Sequence, residues 1–311
     1  MAEATPKERI RLIPPRSDVV VIGAGLGGLL CAIELARQGY KVSVLEQHSV
    51  AGGYAHSFRR KGYHFDISLH SIGGLAPGDL THGVLSSLGV FDKLETKRCD
   101  TLLEADYPEL SLSLPNHPGG ALEELCRLFP GERDALRSLF AFLTKLKRDV
   151  IAPSIEPDFH TPVEEQLSTA YLDRTFEDLL KEYISDPKLL AVLGQLWVYM
   201  GLPPSLATAT FSTCVFCASY IEGAYSLVGG GAALVRAMVE RLRELGSECY
   251  IRAAVKRIVV EDSAVTGVEL ESGEFVAAPI VVSNANPYHT FFDLVPADAV
   301  SQIFRYRLEQ M

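Results

Sequence analysis

Asp18-Val-Val-Val-Ile-Gly-Ala-Gly-Leu-Gly-Gly-Leu-Leu-Cys-Ala-Ile-Glu-Leu-Ala-Arg-Gln-Gly-Tyr-Lys-Val-Ser-Val-Leu-Glu46 is the stretch whose reading decides the fold. Val19 to Ile22 is an unbroken β-branched run, the pattern of a parallel strand buried on both faces. Gly23, Gly25 and Gly28 follow with GxGxxG spacing. The first glycine suits a tight turn, the second the close approach of a diphosphate, and the third close helix–strand packing. Leu29, Ala32, Ile33, Leu35 and Ala36 recur at helical spacing, so a helix starts beside the glycines with its N-terminal amides and dipole facing an anion. Gly39 stops that helix, Val42 to Leu45 returns as a second strand, and Glu46 closes it. An acid roughly 20 residues beyond the glycines is placed to hold a ribose 2′-hydroxyl, and it opposes a cofactor with a 2′-phosphate. Strand, glycines, helix, second strand and acid in this order predict a dinucleotide site.

Outward from this stretch, the composition narrows the class. The chain has 311 residues, enough for two domains or for one domain with a long insertion. Hydrophobic residues make up 48%, which excludes a disordered chain. With 29 basic and 39 acidic residues the net charge is −10, and no stretch has the dense Lys/Arg pattern of a nucleic-acid binder. The acidic balance also opposes purely electrostatic membrane docking, although a local patch could still attach. The first 17 residues carry Lys7, Arg9, Arg11, Arg16, Pro14 and Pro15 without an apolar core. They read as an exposed arm rather than a secretory signal, and Glu3 and Glu8 argue against a transit peptide. The expected location is cytoplasmic or peripheral to a membrane. The six cysteines are scattered, so no disulfide framework is implied. Cys214 and Cys217 have CxxC spacing inside an apolar run, where buried small hydrophobes explain them better than a redox dithiol. No metal site is expected.

The predicted organisation is an arm at 1–17, a nucleotide-binding segment at 18–79, a mainly helical insert at 80–222 and a second nucleotide-binding segment at 223–295. Residues 296–311 begin a further region. In the first segment Gly52-Gly53 allows backbone to approach a ligand. Ser57 to Arg59 and Tyr63 to Asp66 read as two short strands around a turn at Arg60 to Gly62. Arg59, Arg60 and Lys61 fit an exposed turn better than a phosphate-facing patch. The insert shows amphipathic helices, strand-like alternation at Leu110 to Leu114, and a helix over Leu172 to Ile184 after Asp173. From Leu189 to Ile221 there is no charged residue. Pro203-Pro204 divides that run below the length of a membrane span. Buried helices lining a lipophilic pocket are the first reading, and a surface dipping into one bilayer leaflet is the second. Beyond it, a helix over Ala232 to Leu245, a strand at Cys249 to Ile251, a meander from Val255 to Ala277 and a strand at Pro279 to Val282 complete a discontinuous α/β domain.

These features resemble the glutathione-reductase-like flavoprotein superfamily and, more narrowly, the phytoene desaturase, carotenoid isomerase and retinol saturase family. The residues carrying the likeness are Gly23 to Glu46, Gly52-Gly53, Gly62-Tyr-His-Phe-Asp66, Gly223 to Ala237, Gly267 to Gly273 and Val281-Val-Ser-Asn-Ala-Asn-Pro287. The resemblance implies a Rossmann-like FAD-binding domain with a parallel sheet and β-meander, plus an inserted substrate domain. It implies FAD held by Gly23, Gly25, Gly28, Glu46 and Gly53, with the Val255 backbone near the adenine. Ala24, Gly27, Gln47 and Gly52 complete the expected cofactor set. Position 54 is Tyr where many relatives and amine oxidases carry Arg, which favours the polyene-active branch over an amine oxidase. Relatives of this kind continue well past this length, so a truncated or alternative form with an exposed sheet edge is expected.

The expected activity is FAD-dependent desaturation, saturation or cis–trans isomerisation of a long apolar polyene, a carotenoid or retinoid, with the flavin carrying the chemistry. Quinone, oxygen or reduced nicotinamide is the expected electron partner. Acid–base candidates are His70 first, then His56 and His64, because imidazole is most readily poised near neutral pH. Asp66 fits a backbone-holding role better. The alternatives are a non-catalytic lipid escort and an amine-oxidase-like flavoenzyme.

Overall fold

The computed structural model describes residues 12–155 and 166–310, so Glu3, Lys7, Glu8, Arg9 and Arg11 of the expected arm lie outside the described residues. β1 (Val19–Ile22) and β2 (Val42–Glu46) are buried along their whole length. Between them α1 (Leu26–Arg37) buries Gly28, Leu29, Ala32, Ile33 and Ala36, the stripe that its helical periodicity predicts. β3 (Ser57–Arg60) and β4 (Tyr63–Asp66) then pair as an antiparallel hairpin.

The chain continues through β5 (Ile72–Gly73), α2 (Leu80–Ser87), β6 (Thr96–Arg98) and the β7–β8 hairpin (Thr101–Tyr107, Leu110–Pro115). The helices α3 (Gly120–Leu128), α4 (Arg133–Ile155), α5 (Phe176–Lys181), α6 (Pro187–Gly194), α7 (Trp197–Met200) and α8 (Ala209–Phe216) follow. α8 runs into a π-helical turn at Cys217–Ile221, and β9 is Ala224–Leu227. The last stretch holds α9 (Gly231–Glu244), β10 (Glu248–Ile251), β11 (Val255–Glu261), β12 (Ala264–Leu270), β13 (Phe275–Ala277), β14 (Ile280–Ser283), α10 (Pro287–His289) and α11 (Gln302–Glu309).

Two compact units result. The first takes the described residues up to His70, Val84–Glu95 and those from Leu227 onward; the second takes Ser71–Gly83 and Thr96–Ser226. The insert expected at 80–222 therefore differs in three places: Val84–Glu95 belongs with the first unit, while 71–79 and 223–226, expected in the nucleotide-binding segments, belong with the second. Polar bonds hold Val84–Glu95 in the first unit. Arg241 Nε donates to the Leu88 carbonyl at 2.9 Å, and Lys93 Nζ reaches Glu240 at 3.0 Å and Glu244 at 2.5 Å.

In the first unit β10, β2, β1 and β14 form a parallel sheet in that order, with Val19 opposite Val42 on one side and Ile280 on the other. The β11–β12–β13 meander is antiparallel. Val20, Ile22, Leu45, Ile258, Val268 and Val276 form one hydrophobic cluster shared by sheet and meander. The end of the arm is not free. Ala277 N–H donates to the Pro15 carbonyl and Ser17 N–H to the Ala277 carbonyl, both at 2.9 Å, and Ser17 is buried against Ser43.

In the second unit Leu136, Leu139, Leu143 and Leu146 place one stripe of α4 in the core, where they are fully buried. Each such leucine contributes about 2 kcal/mol of burial free energy. Phe216 meets Phe140 edge-on at 5.3 Å and stacks on Tyr220 at 4.5 Å. The single helix expected over Leu172 to Ile184 is shorter than predicted. Thr175 rather than Asp173 is the N-cap, its Oγ1 accepting from Asp178 N–H at 3.1 Å, so α5 begins at Phe176.

The uncharged run is also divided. Leu189, Val192, Leu193, Phe216, Cys217 and Tyr220 are buried, whereas Trp197, Val198, Tyr199, Leu202, Leu206 and Phe211 are exposed. Hydrophobicity alone did not reveal which face each residue takes. Among the described residues no helix is long and apolar enough to cross a membrane.

Candidate functional site

The strand order places the site. The chain runs from β1 outward to β2 and β10 on one side, then returns to put β14 on the other side of β1. The carboxyl ends of β1 and β14 therefore part at a topological switch point, where open α/β sheets bind their ligands. A cavity of about 700 Å³ lies there, walled by the Gly23–Leu26 turn, the Gly52–Ala55 loop, Glu46, Gln47, Val255 and the segment after β14.

The glycine turn is tightly built. A Cβ on Gly28 would lie 2.1 Å from the Gly23 carbonyl oxygen, so only glycine lets α1 start this close to β1. A Cβ on Gly53, whose φ is +55°, would lie 3.1 Å from Gly25 Cα. The doublet is thus packed onto the first glycine turn, and Gly52 N–H donates to the Ala24 carbonyl at 2.7 Å. The amides of Leu26 and Gly27, in the first turn of α1, have no intrahelical acceptor. That of Gly28 is taken by Asn284 Oδ1 at 2.9 Å.

Glu46 ends β2 at the cavity wall, with 8% of its surface exposed. Its Oε2 accepts from Ala24 N–H and its Oε1 from His48 N–H, both at 2.8 Å. Each carboxylate oxygen keeps further lone-pair capacity for a ribose hydroxyl. The carboxylate therefore fixes the glycine turn and the start of the following loop as well as presenting oxygens to the cavity.

Of the residues expected to hold the cofactor, Gly23, Gly25, Glu46, Gln47, Gly52, Gly53 and Val255 line this cavity. Ala24 is fully buried with its amide spent on Glu46, and Gly27 and Gly28 lie against the Asn284 side chain. These three shape the turn from behind the wall. None of the three histidine candidates is among the residues that line the wall. His56 Nδ1 lies 2.5 Å from the Gly53 carbonyl oxygen, and its ring is 5.3 Å from that of His48. His64 sits on exposed β4 and bonds Arg59 across the hairpin. His70 is exposed and directly follows the wall residue Leu69. Asp66 plays a structural part, because its Oδ1 accepts from Gly231 N–H at 3.1 Å and from the Ser57 hydroxyl, holding the N-terminus of α9.

Asn284 and Asn286, which the sequence marked only as part of the 281–287 stretch, and His289, which it did not mark, all line the cavity. Asn286 Oδ1 accepts from Tyr288 N–H at 2.8 Å and starts α10 with Pro287 in its first turn. The signal for them was topological: residues directly after a strand that pairs with β1 must face the switch point. In the second unit, burial pushes the Cys217 thiol up to about 12 and raises that of Cys214. Neither is poised as a thiolate, so the CxxC spacing belongs to the apolar interior.

These residues fit a flavin dinucleotide: open helix amides for the diphosphate, a fixed carboxylate for the ribose, and backbone where a Cβ would intrude. A family model for flavin containing amine oxidoreductase matches residues 26–296. The chain is 28% identical over 309 residues to all-trans-retinol 13,14-reductase of Danio rerio, covering 92% of this chain and 50% of that protein. It is 28% identical over 298 residues to chloroplastic prolycopene isomerase 2 of an Oncidium hybrid cultivar, covering 92% and 51%. The chain thus spans about half the length of the curated relatives it matches. An oxidoreductase from Methanosarcina mazei shares the fold with a TM-score of 0.68 at 17% identity, covering 94% of this chain and 64% of that one. The family match across most of the chain, on a Rossmann-like sheet whose switch point carries the glycine turn, shows that this chain belongs to the flavin containing amine oxidoreductase family, whose cofactor is FAD.

Proposed function

We propose that the chain binds FAD in the cavity between the ends of β1 and β14 and serves an oxidoreductase or isomerase acting on a long apolar polyene. The observation that carries the cofactor reading is the joint placement of Leu26, which opens α1 with a free amide, and of Glu46 on one cavity wall. The Leu26 amide at the start of α1 would receive the diphosphate, Glu46 the adenosine ribose, and Val255 the adenine side. Bound flavin supplies hydride exchange at its ring system. The chain's own part is to hold and orient that group and to keep the wall closed behind it, through the Gly52–Gly53 loop and the Asn284 amide clamp.

The polyene reading is supported by the retinol and prolycopene names of the relatives and by the uncharged run from Leu189 to Ile221. The exposed Trp197, Val198, Tyr199, Leu202, Leu206 and Phe211 in that run suit contact with a bilayer surface, from which a lipophilic substrate is drawn. Quinone, oxygen or reduced nicotinamide serves as electron partner, and a bilayer contact is compatible with the first. The test is anaerobic incubation of the chain loaded with oxidised FAD, and separately with dithionite-reduced FAD, with all-trans-retinol, prolycopene and a panel of primary amines, followed by chromatography. A new retinoid or an isomerised carotenoid is the expected product. Unchanged polyenes beside a consumed amine would reverse the assignment.

A further inference from the structure

The cavity has a charge problem that its residues reveal. A dinucleotide diphosphate brings two negative charges, yet no lysine or arginine is found among the described wall residues. Glu46 adds a carboxylate to the same wall. The dipole and amides of α1 supply only partial positive charge at the glycine turn. Among the described wall residues, His289 alone has a side chain that can carry a full positive charge.

His289 is also held in place. Asn286 caps the turn after β14, Pro287 starts α10, and His289 ends it. Its Nδ1 lies 2.7 Å from Asp293 Oδ2, one turn further on. With Nδ1–H donated to Asp293, Nε2 is the ring nitrogen left for a ligand, and it donates when the imidazole is protonated. Asp293 is not a wall residue, so its carboxylate orients the ring without facing the cavity. The next cation on this segment, Arg305, lies 4.6 Å over the Phe292 ring and is likewise not in the wall. Asn284, five residues before His289, clamps Gly28 at the start of α1, so the segment that carries the imidazole is tied to the turn that receives the diphosphate.

We infer that His289, positioned by Asp293, is the cationic contact for the dinucleotide's diphosphate. The inference rests on the FAD reading above and adds the one described wall residue whose side chain can offset part of the ligand's charge. It separates from that reading by ligand chemistry, because adenosine shares the ribose and adenine contacts but lacks the diphosphate.

The test titrates the flavin-free full chain with ADP and with adenosine by calorimetry. The proteins compared are the parent, His289→Gln, His289→Arg, Asp293→Asn and the double variant His289→Gln/Asp293→Asn. A charge-assisted bond predicts about tenfold weaker ADP binding in H289Q, with adenosine changed less than about twofold. H289R restores ADP binding. D293N weakens ADP by about threefold in the parent background and adds nothing in H289Q, as expected of a residue acting through the imidazole. Equal loss of ADP and adenosine in H289Q, or unchanged ADP binding in a folded H289Q, overturns the role of His289. A parent that binds neither nucleotide overturns the FAD reading itself, and this inference falls with it.

Discussion

Glu46→Ala separates the two roles that the structure gives this side chain. In the flavin-free protein the carboxylate accepts from two backbone amides, Ala24 and His48, each at 2.8 Å. Hydrogen bonds to a charged acceptor are worth about 1.5–3 kcal/mol each, but the two losses are unequal. His48 is exposed and its amide regains water, whereas Ala24 is fully buried and its amide is left without a partner. The summed cost is about 3 kcal/mol, or roughly 6–12 °C in Tm for a unit of this size, before any cofactor is added. Glu46→Gln keeps one carbonyl oxygen as acceptor and should lose about half as much. Far-UV circular dichroism of flavin-free protein is the suitable probe, because the one tryptophan, Trp197, belongs to the other unit. A flavin-free Glu46→Ala protein as stable as the parent would refute the reasoning, because the two amide bonds would then contribute nothing to the turn.

Further outcomes follow from other sites. Gly28→Ala places a Cβ 2.1 Å from the Gly23 carbonyl oxygen, with Asn284 Cβ at 3.3 Å, and the Gly23 backbone cannot yield as a flexible side chain would. A loss of about 2 kcal/mol is expected despite alanine's better helix propensity, measured by urea denaturation; a neutral or stabilising effect would show that α1 can shift. Lys147 and Glu222 form an ion pair with side chains only 13% and 17% exposed. Lys147→Ala should cost about 1–3 kcal/mol by leaving a largely buried carboxylate without its partner, while Lys147→Met/Glu222→Met recovers most of it. The Cys217 thiol, raised by burial from the ordinary 9.0 to about 12, stays protonated in the folded state after the unfolded thiol has ionised. Its contribution is fully present below pH 9 and is lost between about pH 9 and about pH 12, at up to ~1.4 kcal/mol per pH unit. Cys217→Ala should remove that slope from a stability–pH profile.

Much of the first unit was legible because its signals are local. Val19 to Ile22, the glycine turn, the helix stripe and Glu46 each follow from neighbours a few residues away, and the structure sets them at the predicted positions. The meander was readable for the same reason, from short alternating strands broken by Glu261-Asp262-Ser263 and by Gly273. The second bond of Glu46 was hidden, since nothing in the order of residues says that a ribose-facing acid also closes on Ala24. Asn284 and His289 were hidden more deeply. They matter only because β14 pairs with β1, a contact between positions more than 250 residues apart. The histidines chosen from sequence, His56, His64 and His70, were selected because imidazole titrates near neutral pH and because they lie on the segment that leaves the glycine doublet. The hairpin carries His64 to the surface instead. In the uncharged run the sequence showed what was apolar but not which side chains face inward. Trp197 and Phe216 read alike in the chain and differ in the fold, 47% exposed against 1%.

The most direct test of the account is the stoichiometry of FAD binding to the flavin-free chain, followed by flavin fluorescence with ADP as competitor. The account predicts saturation at one FAD per chain, displacement by ADP, and loss of both in Gly53→Val, whose added side chain would press on Gly25 across the glycine turn. Saturable FAD binding that ADP does not displace and a folded Gly53→Val retains would contradict it.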